Sequence, residues 1–423
     1  MYQASNTPLL THEIFESRAE LSDSILTEDP IPSEIQRKRR RASLLDTPRD
    51  SAGSLQRTHN VRYAGDFLQA RFWRWLGEYL RTVLKGRDQF LEYDLSDPRA
   101  GIYTMPDSAS VALASDWGAG TISAYRVRDQ IVRRSPDITM HLGDVYYVGS
   151  QEEFDEYFLG DDDWPRGSLQ TTEEITALPS YALNGNHEMY SGGHAYFRAI
   201  QNSFGQEASY FCVENDYWRI VGLDSGYSTK LIPGLELLPW WVRLQPQNIQ
   251  WLHQNVLSTD DSRPIILLSH HQWFSAFERE YRRLGQALGN DPRFLLWIWG
   301  HEHRLAGYGS NQTHPGGLKI RGRCIGHGGM PIEDIHMPVR RDRNLVFYDQ
   351  RVAGSVEDTD VGYCGFAQLE FNREELTISY VEETGKVLLQ ERWSRTEEGA
   401  RGEVLDFEAD LLTLVRPIEA LVG

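Results

Sequence analysis

The 423-residue sequence contains only three cysteines, which are far apart in the chain: Cys212, Cys324 and Cys364. No two of them form a Cys-x-x-Cys pair, so the pattern excludes a zinc ribbon, and the odd number argues against a disulfide framework. So few cysteines are typical of a protein from a reducing compartment.

The sequence also lacks an apolar run near the roughly 20 residues that a membrane-spanning helix needs. The longest candidate, FLLWIWG at 294–300, has the length of a strand. The opening residues, MYQASNTPLL, show neither the charged segment nor the apolar segment of a secretory signal. We therefore expect no membrane span and a cytoplasmic location.

Positive charge is in short supply. Lys and Arg number 43 against 61 Asp and Glu, which gives a formal net charge of -18. A surface of this sign repels nucleic acid, so we expect no nucleic-acid partner. The hydrophobic content of 40% and aromatic content of 11% are typical of a folded globule, and the length allows one large α/β domain with additions. Nothing in the sequence indicates an oligomeric state.

Changes in composition divide the chain into four predicted segments. Residues 1–60 are polar and charged, and we predict a disordered or loosely packed tail. Residues 61–105 are predicted to be a helical lead-in, because apolar side chains recur at helical spacing over 65–85. Residues 106–395 are predicted to form the main domain, and 396–423 a C-terminal tail.

From about residue 108, short apolar runs alternate with helical segments, and each run ends in a polar residue. The runs are SVALASD, DITMHLGD, YALNGN, YWRIVGLD, PIILLSHH and FLLWIWGH. Strands that alternate with helices predict an α/β sheet, in which sites form at the carboxyl ends of the strands. We therefore expect these polar residues to gather on one rim. Residues 363–393 alternate differently and predict three antiparallel strands.

Many of the residues at these strand ends can bind metal ions. They are Asp116, Asp144, Tyr147, Asn186, His270, His271, His301 and His303. Carboxylate, phenolate and imidazole suit hard divalent or trivalent ions. Two such ions that share one carboxylate can clamp an oxyanion during in-line displacement. Asp116 is followed by Trp117 and Gly118, so the residue two positions on cannot be a ligand.

The order of these motifs resembles the calcineurin-like metallophosphoesterases and, more narrowly, their purple acid phosphatase branch. The matching motifs are DWG, GDVYY, GNHE, LLSHHQ and GHEH. The resemblance covers about residues 108–330. It implies an α/β fold of four αββα layers, a β-sandwich flanked by helices, with 106–395 as the catalytic domain. It also implies hydrolysis of a phosphorylated small molecule or protein.

The resemblance further implies two metal ions that share Asp144. The first, Fe(III), would bind Asp116, Asp144, Tyr147 and His303. The second, a divalent Fe, Zn or Mn ion, would bind Asp144, Asn186, His270 and His301. A water bridging the ions would attack phosphorus, and His187 would stabilise the transition state or protonate the leaving oxygen.

One motif, Ser269-His270-His271-Gln272, departs from the family's pattern. Two adjacent histidines leave the ligand ambiguous. The spacing to Ser275 favours His270, and His271 then points away or reaches the substrate. Glu188 and His327 are further candidates for substrate contact, although His327 also fits a loop histidine with its hydrogen bonds satisfied.

Three functions fit this pattern. Phosphomonoester hydrolysis is the first, and a phosphodiesterase acting on a nucleotide or lipid head group would use the same metals. A non-catalytic scaffold is the third, and the intact set of predicted metal and phosphate contacts argues against it. The loop at 231–242 is predicted to shape the pocket, and nothing in it identifies a substrate.

Overall fold

The structure, a computed structural model, describes residues 86–159, 164–229, 242–258, 261–311, 319–332, 335–356 and 359–423. The tail predicted at 1–60 and the helix predicted over 65–85 lie outside the described residues, as does the loop 231–241. None of the helices in the described ranges is long and apolar enough to cross a membrane.

Strands and helices alternate up to residue 300, as the sequence predicts. The strands are β1 (Ile102–Thr104), β2 (Ser108–Ala114), β3 (Ile138–His141), β4 (Ser180–Ala182), β5 (Phe211–Glu214), β6 (Arg219–Leu223), β7 (Ile265–Ser269) and β8 (Phe294–Trp299). The helices are α1 (Ile122–Arg134), α2 (Gln151–Tyr157), α3 (Asn186–Met189), α4 (His194–Ala199), α5 (Pro246–Trp251) and α6 (Arg282–Leu288). Helices α4 and α5 continue as π-helical segments, Ile200–Phe204 and Leu252–Leu257.

Beyond residue 300, the described residues add ten strands and no α-helix. These strands are β9 (Leu305–Asn311), β10 (Ile320–Ile325), β11 (Leu345–Tyr348), β12 (Val352–Val356), β13 (Thr359–Gly362), β14 (Gly365–Asn372), β15 (Glu375–Glu382), β16 (Val387–Thr396), β17 (Gly399–Phe407) and β18 (Thr413–Leu414). A short 3-10 helix, Ile418–Leu421, follows.

The strands form two large sheets. One has the order β1-β5-β6-β7-β8-β10-β9-β11-β18, and the other has the order β17-β16-β15-β14-β2-β3-β4. Strands β2, β3 and β4 are parallel, as are β6, β7 and β8. The three antiparallel strands predicted near the C-terminus are confirmed as β14, β15 and β16, and β14 joins the second sheet beside β2.

Three apolar cores separate four layers. Alternate side chains of a strand point to opposite faces of its sheet, so β2 and β7 each supply two cores. The core between the sheets includes Val111, Leu113, Ile266 and Leu268. The outer core on the second sheet includes Ala112, Ala114, Val127 and Ile131, and the outer core on the first sheet includes Ile265, Leu267, Trp251 and Leu284. The predicted αββα arrangement of sheets flanked by helices is confirmed.

Two predicted segment boundaries differ from the structure. Residues 396–423, predicted to be a tail, contain β17 at the edge of one sheet and β18 at the edge of the other. Leu421 is fully buried in the core between the sheets. Residues 86–105, predicted to be part of a helical lead-in, contain no helix and end in β1. The last residues therefore pack on both sheets.

Candidate metal centre

The predicted site residues follow strands of both sheets, and the structure brings them together. Asp116, Asp144 and Asn186 follow β2, β3 and β4, whereas His270 and His301 follow β7 and β8. The His301 backbone N–H donates to Asp116 Oδ2 at 2.9 Å, and His270 Nδ1 lies 3.0 Å from the Leu142 carbonyl oxygen. These contacts join the two rims, so one site is built from two sheets.

The backbone at this rim has an unusual conformation. Asp116, Asp144 and His301 have φ angles of 58°, 74° and 63°. Non-glycine residues in this left-handed region cluster at functional sites, because the surrounding structure must compensate for the strain. A Cβ on Gly300 would overlap the Ser115 hydroxyl and lie 2.6 Å from Asp116 Oδ2. Only glycine therefore permits the loop before His301 to approach Asp116 this closely.

Asp144 lies at the centre of the site and is 1% exposed. Its Oδ2 is 3.2 Å from the Tyr146 hydroxyl and 3.2 Å from His270 Nε2, while Oδ1 accepts the His187 backbone N–H at 3.0 Å. Burial alone would raise the pKa of Asp144, but the charges of His270 and His187 hold that pKa well below its ordinary value. Asp144 is therefore a buried carboxylate between two groups of polar side chains.

The first group consists of Asp116, Tyr146 and His303. The Tyr146 hydroxyl lies 2.7 Å from Asp116 Oδ1 and 2.9 Å from His303 Nε2, and His303 Nε2 is 3.4 Å from Asp116 Oδ1. Burial, and then the charges of Asp116 and Asp144, raise the pKa of Tyr146 well above its ordinary value. The phenol therefore donates a proton to a carboxylate unless a cation replaces that proton.

The phenol in this group was predicted to be Tyr147, and the structure places Tyr146 there instead. The Tyr147 side chain is half-buried. Its backbone N–H donates to Glu153 Oε1 at 2.6 Å, and its backbone carbonyl oxygen lies 2.6 Å from His187 Nδ1. Glu153 belongs to the capping box of α2, in which it pairs with Ser150. The start of α2 thus fixes the turn after Asp144, and the spacing of the motif could not show which tyrosine that turn directs inward.

The second group contains Asn186, His270 and His301. His270 Nε2 lies 3.0 Å from Asn186 Oδ1, and the Asn186 amide nitrogen donates to the Tyr190 hydroxyl at 2.9 Å. With its Nδ1–H donated to a backbone carbonyl, His270 directs Nε2 toward Asp144 and Asn186. Burial opposes its charge, but Asp144 and then Asp116 raise the pKa of His270 to about 9. A cation that binds Nε2 must therefore displace a proton.

Tyr281 contacts one ring nitrogen of His301 and so orients its ring. Nothing in the sequence had indicated this residue. The Tyr281 hydroxyl lies 3.3 Å from His301 Nε2, which leaves Nδ1 of His301 for another partner. Burial and then the charge of His270 lower the pKa of His301 to about 3, so its ring is neutral. Tyr281 lies in a charged segment, EREYRRL, that gives no sign of this contact. Tyr146 could have been found by treating both adjacent tyrosines as candidates.

His187 lies at the accessible side of the site. Its side chain is 19% exposed and that of His303 is 31% exposed, whereas Asp144 and His270 are buried. Its Nδ1 is held by the Tyr147 carbonyl, and Nε2 lies 3.8 Å from Asp144 Oδ2. The ring is therefore oriented with Nε2 toward the centre of the site.

The three predicted substrate contacts are all buried. Glu188 accepts backbone N–H groups of Asp144, Val145 and Gly185, so its carboxylate holds two motif loops together. Burial and then Asp144 raise the pKa of Glu188 to about 8. His327 is 2% exposed and His271 is fully buried. Gly-Asn-His-Glu alone does not reveal which of its side chains turns inward.

The arrangement suits cations. Asp116 and Asp144 are two buried carboxylates that both lie within 3.2 Å of one hydroxyl, and like charges this close require compensation. Carboxylate and imidazole atoms of Asp116, Asp144 and His270 lie within 4.8 Å of one another, as do ring nitrogens of His270, His271 and His301. The residues present thus offer two oxygen ligands and one imidazole on one side of Asp144, and one amide oxygen and two imidazoles on the other.

Residues 109–305 match the family model described as calcineurin-like phosphoesterase. The matched range includes all the side chains that meet at the centre. No curated protein matches the sequence significantly.

Similarity to solved structures is distant. A purple acid phosphatase from yellow lupin (Lupinus luteus) seeds is 15% identical with a TM-score of 0.47, over 70% of this chain and 56% of the lupin chain. A structure named PhoD is 11% identical with a TM-score of 0.44, over 72% and 73% of the two chains. GAP50, the anchor in the inner membrane complex of Plasmodium, is 12% identical with a TM-score of 0.42, over 67% and 87%. This chain thus spans little more than half the length of the lupin protein.

Proposed function

We propose that this chain, whose residues 109–305 match the calcineurin-like phosphoesterase model, is a phosphomonoesterase with a binuclear metal centre of the purple acid phosphatase type. The observation that carries the proposal is the position of Asp144. One of its oxygens lies 3.2 Å from both the Tyr146 hydroxyl and His270 Nε2, which belong to different ligand groups. A carboxylate placed in this way can serve two cations at once.

The two groups would hold different ions. Asp116, Tyr146 and His303 offer two anionic oxygens, once the phenol is ionised, and one imidazole, a set that suits a trivalent ion such as Fe(III). Asn186, His270 and His301 offer an amide oxygen and two imidazoles, which suit a divalent Fe, Zn or Mn ion. When bound, such ions would supply Lewis-acid polarisation of the phosphoryl group and an activated water.

His187 would move a proton during hydrolysis. Its Nδ1–H is donated to the Tyr147 carbonyl, so Nε2 is the nitrogen available to the reacting groups. We assign His187 Nε2 as the proton donor to the leaving oxygen of the ester, which departs as the phosphorus–oxygen bond breaks. Its partial exposure at the rim, beside buried ligands, allows a substrate to reach it.

The test combines metal content with activity. We expect close to two metal ions per chain in protein expressed with added iron, zinc and manganese, and a higher rate on p-nitrophenyl phosphate than on bis-p-nitrophenyl phosphate. The opposite order of rates would instead favour a phosphodiesterase. Fewer than one ion per chain, together with no hydrolysis of either compound, would refute the proposal.

Two variants separate proton transfer from metal binding. His187→Asn should lower kcat by roughly 100-fold or more while metal content is kept. His194→Asn is the matched control, because His194 is 38% exposed and pairs with Asp88 outside the centre. Asp144→Asn should lose both metal and activity. A His187→Asn enzyme with unchanged kcat would exclude the assigned role.

A further inference from the structure

His271 occupies a position that the sequence pattern does not explain. It is fully buried, and its Nδ1 lies 3.0 Å from Ser225 Oγ. Its Nε2 is also buried and has no hydrogen-bond partner among the described residues. A buried polar atom without a partner is destabilising unless something else satisfies it, so this nitrogen requires an explanation.

The surroundings of His271 indicate what that partner is. Its ring centroid lies 4.8 Å from that of His270 and 4.5 Å from that of His301, and the Tyr281 ring packs against it at 5.1 Å. Ring nitrogens of the three histidines lie within 4.8 Å of one another. Imidazole nitrogens are good ligands for zinc, copper, iron and nickel ions, so three of them in one buried place suit a transition-metal ion.

The hydrogen bonds of His271 leave a lone pair available. Ser225 Oγ accepts the His271 backbone N–H at 2.9 Å, and it can accept a second bond from Nδ1–H. In that arrangement Nε2 carries no proton. This is the way that metal-binding histidines are usually held, with the other ring nitrogen donating to a neighbouring oxygen.

We infer that His271 is an additional ligand of the divalent ion, so that this ion meets three imidazoles, from His270, His271 and His301. The inference rests on the proposed binuclear function and adds a ligand that the family resemblance does not imply. A site richer in imidazole should prefer zinc or cobalt over manganese, because manganese favours oxygen ligands.

Metal titration of the apo-protein tests the inference without measuring activity. Zn²⁺ and Mn²⁺ binding to the full chain would be followed by calorimetry for wild type and His271→Phe. We expect two Zn²⁺ sites in the wild type, one of them weakened at least 10–100-fold in the variant, and a smaller change for Mn²⁺. The visible spectrum of the Co²⁺-loaded protein should also change, since it reports the ligands around the ion.

Two further variants make the result specific. His141→Phe is the matched control, because His141 is also buried with an unpartnered Nε2 but packs against Phe158 and Trp164. It should keep the Zn²⁺ affinity of the wild type. His271→Gln retains a hydrogen-bonding group for Ser225, and it should weaken Zn²⁺ binding even if the Phe variant proves unstable.

The outcomes distinguish this inference from the proposed function. Unchanged Zn²⁺ affinity and an unchanged Co²⁺ spectrum in both His271 variants would overturn the inference and leave the binuclear centre standing. Failure of the wild type to bind Zn²⁺, Mn²⁺ or Co²⁺ at all would refute both. An equal loss of affinity in His141→Phe would show that the effect is structural and would also overturn the inference.

Discussion

The sharpest prediction concerns two adjacent tyrosines that the structure treats differently. Tyr146→Phe removes a fully buried hydroxyl that lies within 3.2 Å of Asp116, Asp144 and His303. Tyr147→Phe is the same chemical change one residue later, at a half-buried side chain. Tyr147 bonds to Glu153 and His187 through its backbone, and its ring lies 6.5 Å from the His187 ring, a contact that phenylalanine keeps. The pair therefore isolates the role of one phenol.

The size of the effect follows from the hydrogen bonds that are lost. A hydrogen bond to a charged group contributes about 1.5–3 kcal/mol to stability, so Tyr146→Phe should destabilise the metal-free protein by about that amount. Its affinity for Fe(III) should fall by at least roughly 10–100-fold, since even the loss of an outer hydrogen-bond partner has such an effect. Tyr147→Phe keeps both backbone hydrogen bonds of that residue and should cost less stability than Tyr146→Phe.

The assay is the visible spectrum of iron-loaded protein. A tyrosinate–Fe(III) charge-transfer band should be present in the wild type and in Tyr147→Phe and absent from Tyr146→Phe. Loss of the band in Tyr147→Phe alone would refute the assignment made from the structure. A wild-type protein that binds iron without any such band would refute phenolate ligation by either residue and favour a centre with zinc or manganese.

Three further predictions follow from the same structure. Glu188→Ala leaves three buried N–H groups without an acceptor, so urea denaturation should show a loss of about 3 kcal/mol or more, and a loss under 1 kcal/mol would contradict the bracing role. Gly300→Ala should destabilise the protein by about 1–3 kcal/mol or more and lower its metal content. The control is Gly354→Ala, where an added Cβ has no atom within 4 Å; it should leave both stability and metal content unchanged. Burial lowers the pKa of His327 from 6.5 to about 4, so the unfolded chain binds the proton first as the pH falls. The contribution of His327 to stability should therefore be full above pH 6.5 and fall by about 3 kcal/mol toward pH 4. Urea titrations at several pH values should show this part of the pH dependence in the wild type and not in His327→Phe.

Some of the centre could be predicted from the sequence because its residues follow strands. Parallel strands of one sheet end on the same rim, so Asp116, Asp144 and Asn186 had to be neighbours if the runs before them were strands. The same pattern gave the α/β class and the antiparallel strands of residues 365–396. The alternation of apolar residues shows which face of a strand is buried, and a short stretch of sequence is enough to reveal it.

The sequence could not predict the site where two candidate ligands are adjacent in the chain, or where a polar side chain is turned into the protein interior. Tyr146 and Tyr147 have the same side chain, so residue type could not distinguish them as ligands. The cap of α2 fixes the turn that directs Tyr146 inward. Glu188 resembles an active-site acid, but its carboxylate accepts three backbone N–H groups. Residues 396–423 were predicted to be a tail, yet they form strands at the edges of both sheets.

The sequence by itself determined the residue types, their order and the strands that they end, because each of these depends on short stretches of chain. Only the tertiary structure decided that β7 and β8 of one sheet meet β2 and β3 of the other, with the His301 N–H bound to Asp116 across 185 residues. That meeting depends on the apolar core between the sheets, to which distant segments contribute together. The same packing buries His271 beside His270 and His301, and it thereby makes the second histidine of the pair a candidate ligand.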